Sequence, residues 1–159
     1  MTAAVLTISD SAASGQRADL SGPAVKQALE QHQFRVIAVK IVPDEQGVIE
    51  KAIVEMASQA QLVVTTGGTG IAQRDVTPEA TRAVCARLVE GVAERMRAVG
   101  AASTPLAALS RGVCGIFGKS LILNLPGNPR AAAESLAAVV ELLPHALDLL
   151  AGKTAHPAP

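Results

Sequence analysis

VVTTGGTGIAQRDVTPEAT, residues 63–81, joins the end of one kind of element to the start of another. Its beginning, Leu62 to Thr66, has the length and Val/Thr content of a buried strand. Its end, Thr77-Pro78-Glu79, offers an N-cap, a proline at the first helical position and an acid in the first turn. Thr66-Gly67-Gly68-Thr69-Gly70 therefore lies between a strand and a helix. Glycine there admits positive φ and lets backbone N–H groups approach a ligand, and the nearby helix N-terminus adds partial positive charge, so the loop suits an anion such as phosphate. The pattern is neither GxGxxG nor the lysine-bearing phosphate loop, and a merely tight strand-to-helix turn is the alternative.

Outward from this stretch the same alternation repeats. Strand-like runs occupy 3–9, 34–42, 62–66, 112–117 and 119–125. Val48, Ile49, Ala52, Ile53, Met56 and Ala57 form an apolar helical stripe, and Val25, Ala28 and Leu29 begin another. Further helices are expected at 77–88, 90–98 and 129–150, the last broken near Pro144. Strands alternating with helices predict a three-layer α/β/α sandwich with a mostly parallel sheet, because parallel neighbours need crossovers. The pair 112–117 and 119–125, separated by Gly118, reads as a hairpin that adds one antiparallel strand. Residues 1–151 form one domain in this reading, and the small, proline-bearing tail 152–159 is expected to be disordered.

Composition removes several classes of function. Lys+Arg and Asp+Glu balance at 14 each, and Phe34 and Phe117 are the only aromatic residues, so neither an electrostatic footprint nor a stacking platform for nucleic acid is expected. No apolar run is long enough for a signal or membrane helix, which predicts a cytoplasmic protein without membrane contact. Cys85 and Cys114 lack metal-ligand or CxxC spacing and read as small buried residues. His32, His145 and His156 fall in helix or tail segments, so no serine or cysteine nucleophile acquires a histidine partner.

In open α/β sheets ligands bind outside the carboxyl ends of the strands. Four exits carry polar chemistry: Ser9 and Asp10; Pro43 and Asp44; the glycine loop with Asp75; and Pro126-Gly127-Asn128-Pro129. Each has a plain reading as well, since Asp10 can form an Asx turn, Asp44 can cap the next helix, and Asn128-Pro129 is an ordinary helix start. Together they predict one pocket with two glycine-bearing anion sites and at least two carboxylates. Carboxylates beside phosphates indicate Mg²⁺, and Mg²⁺ beside phosphates indicates phosphoryl or nucleotidyl transfer. Asp10 is a third candidate ligand.

The segments LTISDSAASGQRADLSGPAV, VPDE, TTGGTGIAQRDVTPEAT and TPLAALSRGVCGIFGKSLILNLPGNPRAAAE resemble, in order and spacing, the MogA/MoaB family of molybdopterin-binding proteins over nearly the whole chain. The resemblance implies a trimer or dimer of trimers that, with Mg²⁺, adenylylates the terminal phosphate of molybdopterin from ATP and releases pyrophosphate. Its product goes on to metal insertion, which makes a downstream molybdenum insertase a partner. It assigns catalytic and metal-binding roles to Asp44 and Asp75, phosphate binding to Thr66, Gly67, Gly68, Thr69 and Gly70, and ligand contacts to Ser110, Arg111 and the turn Pro126 to Pro129. The family also holds members that keep the motifs without adenylylating, so a pterin carrier or scaffold is the alternative. A Rossmann dehydrogenase is disfavoured by ISDSAASG where GxGxxG would stand. The Ala-rich segment 98–109 is too apolar for a free loop and is expected under the domain or between subunits.

Overall fold

The computed structural model describes residues 1–153. Its central strands are apolar at both odd and even positions, as burial on both faces demands. In β1 (Thr2–Ile8), Ala3 and Val5 enter one core while Ala4, Leu6 and Ile8 enter the other. The same division recurs in β3 (Leu62–Thr66) and β6 (Ser120–Leu125), where Val63 and Ile122 face away from Leu62, Val64, Leu121, Leu123 and Leu125. With β2 (Arg35–Val42), β4 (Arg87–Leu88) and β5 (Cys114–Phe117) these form a six-stranded sheet in the order β2-β1-β3-β6-β5-β4. The first four in that order are parallel, and β5 runs antiparallel to both its neighbours.

The helices sort by which core they close. A single turn, α1 (Asp10–Ala13), follows β1. α2 (Ser21–Gln31), α5 (Glu90–Ser103), α6 (Pro129–Ala137) and α7 (Leu143–Leu150) cover the first face with Val25, Leu29, Met96, Leu136, Leu143 and Leu147. α3 (Gln46–Ala57) and α4 (Thr77–Val84) cover the second with Ile49, Ile53, Met56 and Ala80. The result is the expected three-layer α/β/α sandwich.

The departures from expectation have local causes. The helix predicted over 77–88 stops at Val84, because the chain turns extended at Cys85 and enters a ladder with β5: Ala86 N–H donates to the Ile116 carbonyl at 3.0 Å and Val89 N–H to that of Cys114 at 2.8 Å. The helix expected at 90–98 continues to Ser103, and a 3₁₀ turn, Pro105–Leu109, follows it. The C-terminal break falls before Pro144, which lies in the first turn of α7, while Val140–Leu142 is 3₁₀. Segment 98–109 is not buried under the domain, since Leu106 is 69% exposed and Leu109 48%. Both cysteines are free, and burial pushes the Cys85 thiol up to about 11 and that of Cys114 to about 12. Of the expected tail, Gly152 and Lys153 still hydrogen-bond back to Leu149 and Asp148 at 3.0 and 2.9 Å, and residues 154–159, with His156, lie outside the described residues.

One buried polar network ties the layers together. Asn124 on β6 donates to the hydroxyls of Thr65 on β3 (3.0 Å) and Thr81 on α4 (2.9 Å), and its carbonyl accepts Val113 N–H at 3.2 Å. Asn124→Ala leaves those partners unmatched inside the second layer, at a cost of about 2–3 kcal/mol in unfolding free energy. A lower urea midpoint with an unchanged m-value is the expected measurement.

Candidate active site

The parallel strands β1, β2, β3 and β6 end on the same rim, and glycine lets their exits close up. Gly67 has φ +100, and a Cβ on it would sit 2.2 Å from the Ile8 carbonyl oxygen at the end of β1. A Cβ on Gly127, beyond β6, would lie 3.2 Å from the Gly67 Cα. Three exits thus touch through backbone alone. Thr66 adds a hydroxyl donated to the Pro126 carbonyl at 2.7 Å, and Gly67 N–H donates to that of Leu125 at 3.1 Å.

Thr77 serves this loop instead of capping α4, whose N-cap is Val76. Its hydroxyl donates to the Gly67 carbonyl at 2.9 Å and its N–H to that of Gly68 at 3.1 Å. Gly68, at φ +63, has Thr77 Oγ1 and Asp44 Oδ1 at 2.4 and 3.1 Å from the place of its missing Cβ. The N–H groups of Gly68, Thr69 and Gly70 donate to no protein acceptor among the described residues.

The acids are held differently from any capping scheme. Asp10 and Asp44 exchange bonds, each backbone N–H donating to the other's carboxylate at 2.9 Å. Arg74 from the β3–α4 loop grips Asp10 in two-pronged fashion, Nε to Oδ2 at 2.9 Å and Nη2 to Oδ1 at 2.8 Å. Asp10 therefore braces loops, whereas Asp44 keeps Oδ1 beside Gly68 and Asp75 commits only Oδ2, to Ala72 N–H at 2.9 Å. Asn128 alone shows its plain reading, accepting Ala131 N–H at 3.1 Å ahead of Pro129.

Two cavities open at this rim. The smaller, about 260 Å³, is lined by Ser9, Asp44, Gly67, Pro129 and others. The larger, about 720 Å³, takes in Thr69, Gly70, Ser110, Pro126 and Asn128 together with Met96, Leu106 and Leu109, so the exposed apolar segment walls a cavity. Gly68, Asp75 and Gly127 belong to both. Arg111 lines neither: its guanidinium donates to the carbonyls of Gly70 and Asp75 and pairs with Glu79, which holds the β3–α4 loop in place. The sequence offered no sign of the bracing Arg74, nor of Arg17 at the smaller cavity; both stand inside recognised motifs but outside any regular spacing.

The charges oppose one another as the geometry implies. Burial raises Asp44 above its ordinary 3.8, and the charges of Asp10 and Asp75 raise it further against the Asp10 N–H bond and Arg74. Asp10 is lowered by the Asp44 backbone N–H and by Arg74. The lowered Asp10 contributes stability above its unfolded-state pKa that is lost as pH falls through the folded value, and the raised Asp44 acts in the opposite sense.

A doubly covered, mostly parallel sheet with acids and open N–H groups at its strand exits belongs to the open α/β class, in which ligands bind outside the carboxyl ends of the strands. The comparisons narrow that class. The family model described as "Probable molybdopterin binding domain" matches residues 4–145. A molybdopterin adenylyltransferase of Helicobacter pylori is 45% identical over 93% of this chain and 86% of its own length, and that of Escherichia coli K12 is 37% identical over 98% and 88%. The molybdopterin biosynthesis enzyme MoaB of Thermus thermophilus superposes with a TM-score of 0.90 at 49% identity over 96% of this chain and 97% of that one. The chain belongs to the molybdopterin-binding domain family, among relatives that are enzymes of molybdenum cofactor biosynthesis. Among its described residues no helix is long and apolar enough to cross a membrane.

Carbon-detected NMR of the ligand-free protein should find Asp44 titrating above 3.8 and Asp10 below it. Asp75→Asn should lower the Asp44 midpoint, and the reverse order of the two aspartates would contradict the charge arrangement.

Proposed function

We propose that the protein is a molybdopterin adenylyltransferase, working in the cytoplasm on ATP and molybdopterin ahead of a molybdenum insertase. The observation that carries this reading is the wall shared by two cavities, where Gly68, Asp75 and Gly127 stand between spaces for two substrates. A phosphate oxygen of molybdopterin attacks the α-phosphorus of ATP in line, the P–O bond to the β-phosphate breaks, and pyrophosphate leaves with the electron pair. The attacking phosphate monoester has a second pKa of about 6 and is largely ionised at neutral pH, so no strong general base is required.

Residues 68–70 approach the transferring phosphates with open N–H groups, which donate to charge as it develops on the oxygens. The Asp10–Asp44 brace and the Arg111 clamp fix these groups beforehand, so little reorganisation accompanies reaction. Asp44 and Asp75 fit a Mg²⁺ site: both are oxygen donors with an uncommitted oxygen, their mutual repulsion favours a cation between them, and Mg²⁺ ordinarily takes one or two carboxylates with the remainder from phosphate and water. Bound there, Mg²⁺ would offset the triphosphate charge.

Asp75→Asn and Asp44→Asn should each reduce pyrophosphate release by several orders of magnitude, while calorimetric affinity for molybdopterin stays near that of the parent. Near-normal turnover in either variant removes that acid from the mechanism. Absence of release from the parent protein with ATP, Mg²⁺ and molybdopterin leaves the pterin-carrier function instead.

We also propose a homotrimer, with the exposed apolar segment 98–109 at or near the contact. Light scattering at micromolar concentration should return three times the 16.2 kDa chain mass. A monomer mass refutes the assembly, and a trimer unaffected by Leu106→Glu puts the contact elsewhere.

A further inference from the structure

Two polyanionic substrates must be drawn to a rim that already carries acids, so each cation lining the two cavities is accounted for in turn. In the larger cavity Arg97 donates to the carbonyls of Ser110 and Gly112, at 3.5 and 3.1 Å, and Arg130 pairs with Glu134 at 2.9 Å. In the smaller, Arg17 is the one basic residue of the lining among the described residues. Its side chain makes no hydrogen bond or ion pair among the described residues, whereas Arg74 and Arg111 are both engaged.

Arg17 is also held in place by its backbone. The loop after α1 turns at Gly15, with φ +74, and Arg17 N–H donates to the Ser11 carbonyl at 3.1 Å. The next acid, Asp19, does not compete for the guanidinium: it accepts from the Thr7 hydroxyl at 2.7 Å, the Ser21 hydroxyl at 3.2 Å and Gly22 N–H at 3.0 Å. An uncommitted fork of N–H donors thus lines the same cavity as Asp44, Asp75 and Gly68, whose N–H is open. A guanidinium matches phosphate oxygens in charge and in paired geometry.

We propose that Arg17 binds a substrate phosphate in the smaller cavity and, with the glycine loop, sets its position against Asp44 and Asp75. The proposal rests on the adenylyl-transfer reading for the identity of the phosphate, which is either the triphosphate of ATP or the monoester of the pterin.

The test compares Arg17→Ala, Arg17→Lys and Arg17→Glu in the full chain. Calorimetry with Mg-ATP, Mg-pyrophosphate and adenosine, and the KM for each substrate, are the readouts, with melting temperature as the folding control. Losing a charge-assisted hydrogen bond should weaken binding of one phosphate-bearing substrate by roughly ten-fold to a hundred-fold. Lysine should restore part of the loss, glutamate should deepen it, and adenosine affinity and melting temperature should hold. A raised KM for ATP with weaker pyrophosphate binding identifies the triphosphate, and a raised KM for molybdopterin alone identifies the monoester. Arg17→Ala with parental KM for both substrates overturns the proposal while leaving adenylyl transfer intact. A parent protein that releases no pyrophosphate, yet loses Mg-ATP or Mg-pyrophosphate affinity on Arg17→Ala, overturns the transfer reading and keeps the anchor.

Discussion

The site depends on one close approach, that of Gly67 to the Ile8 carbonyl. Any side chain at Gly67 would occupy the oxygen's place, at 2.2 Å, and would have to adopt φ +100 besides. Because there is none, the exits of β1 and β3 lie against each other, Gly127 closes against Gly67 from the β6 side, and Thr66 and Thr77 complete the turn with hydroxyl bonds. The glycine loop is thus a tight junction.

On that junction two tiers of charge are arranged. Asp10, Arg74, Arg111 and Glu79 neutralise one another and hold backbone, whereas Asp44, Asp75 and Arg17 keep uncommitted donor or acceptor atoms at the cavities. Exposed ion pairs contribute little stability individually, so the value of the first tier is geometric. It holds Asp44 half-buried, and that burial first, then the charges of Asp10 and Asp75, pushes its carboxyl above the ordinary value.

Much of this was legible before the structure. Strands at 62–66 and 119–125, the latter starting one residue later at Ser120, the hairpin about Gly118 and the covering of both faces follow from apolar runs whose burial is set by parity. β4 was not legible, because two residues, Arg87 and Leu88, carry no periodicity and are strand only by pairing with β5. That Asp44, Asp75 and the glycine loop lie at one rim could be read from their places at strand exits. What each acid accepts could not: Asp10 and Asp44 are 34 residues apart, and their exchange of bonds arises from the parallel pairing of β1 with β2. The same limit hid the distinction between committed and uncommitted arginines, which depends on partners brought in by the fold.

The order of strands in the sheet also governs when the protein becomes competent. β3 pairs with β6, whose first residue is made more than fifty positions later, and the wall shared by the cavities needs Gly127 as well as Gly68. A nascent chain emerging from the ribosome exposes the free edge of β3 until nearly the entire domain has been synthesised, and such late long-range pairing is slow to form. The rim is therefore complete only when folding is: truncated or half-folded chains lack one side of the cleft.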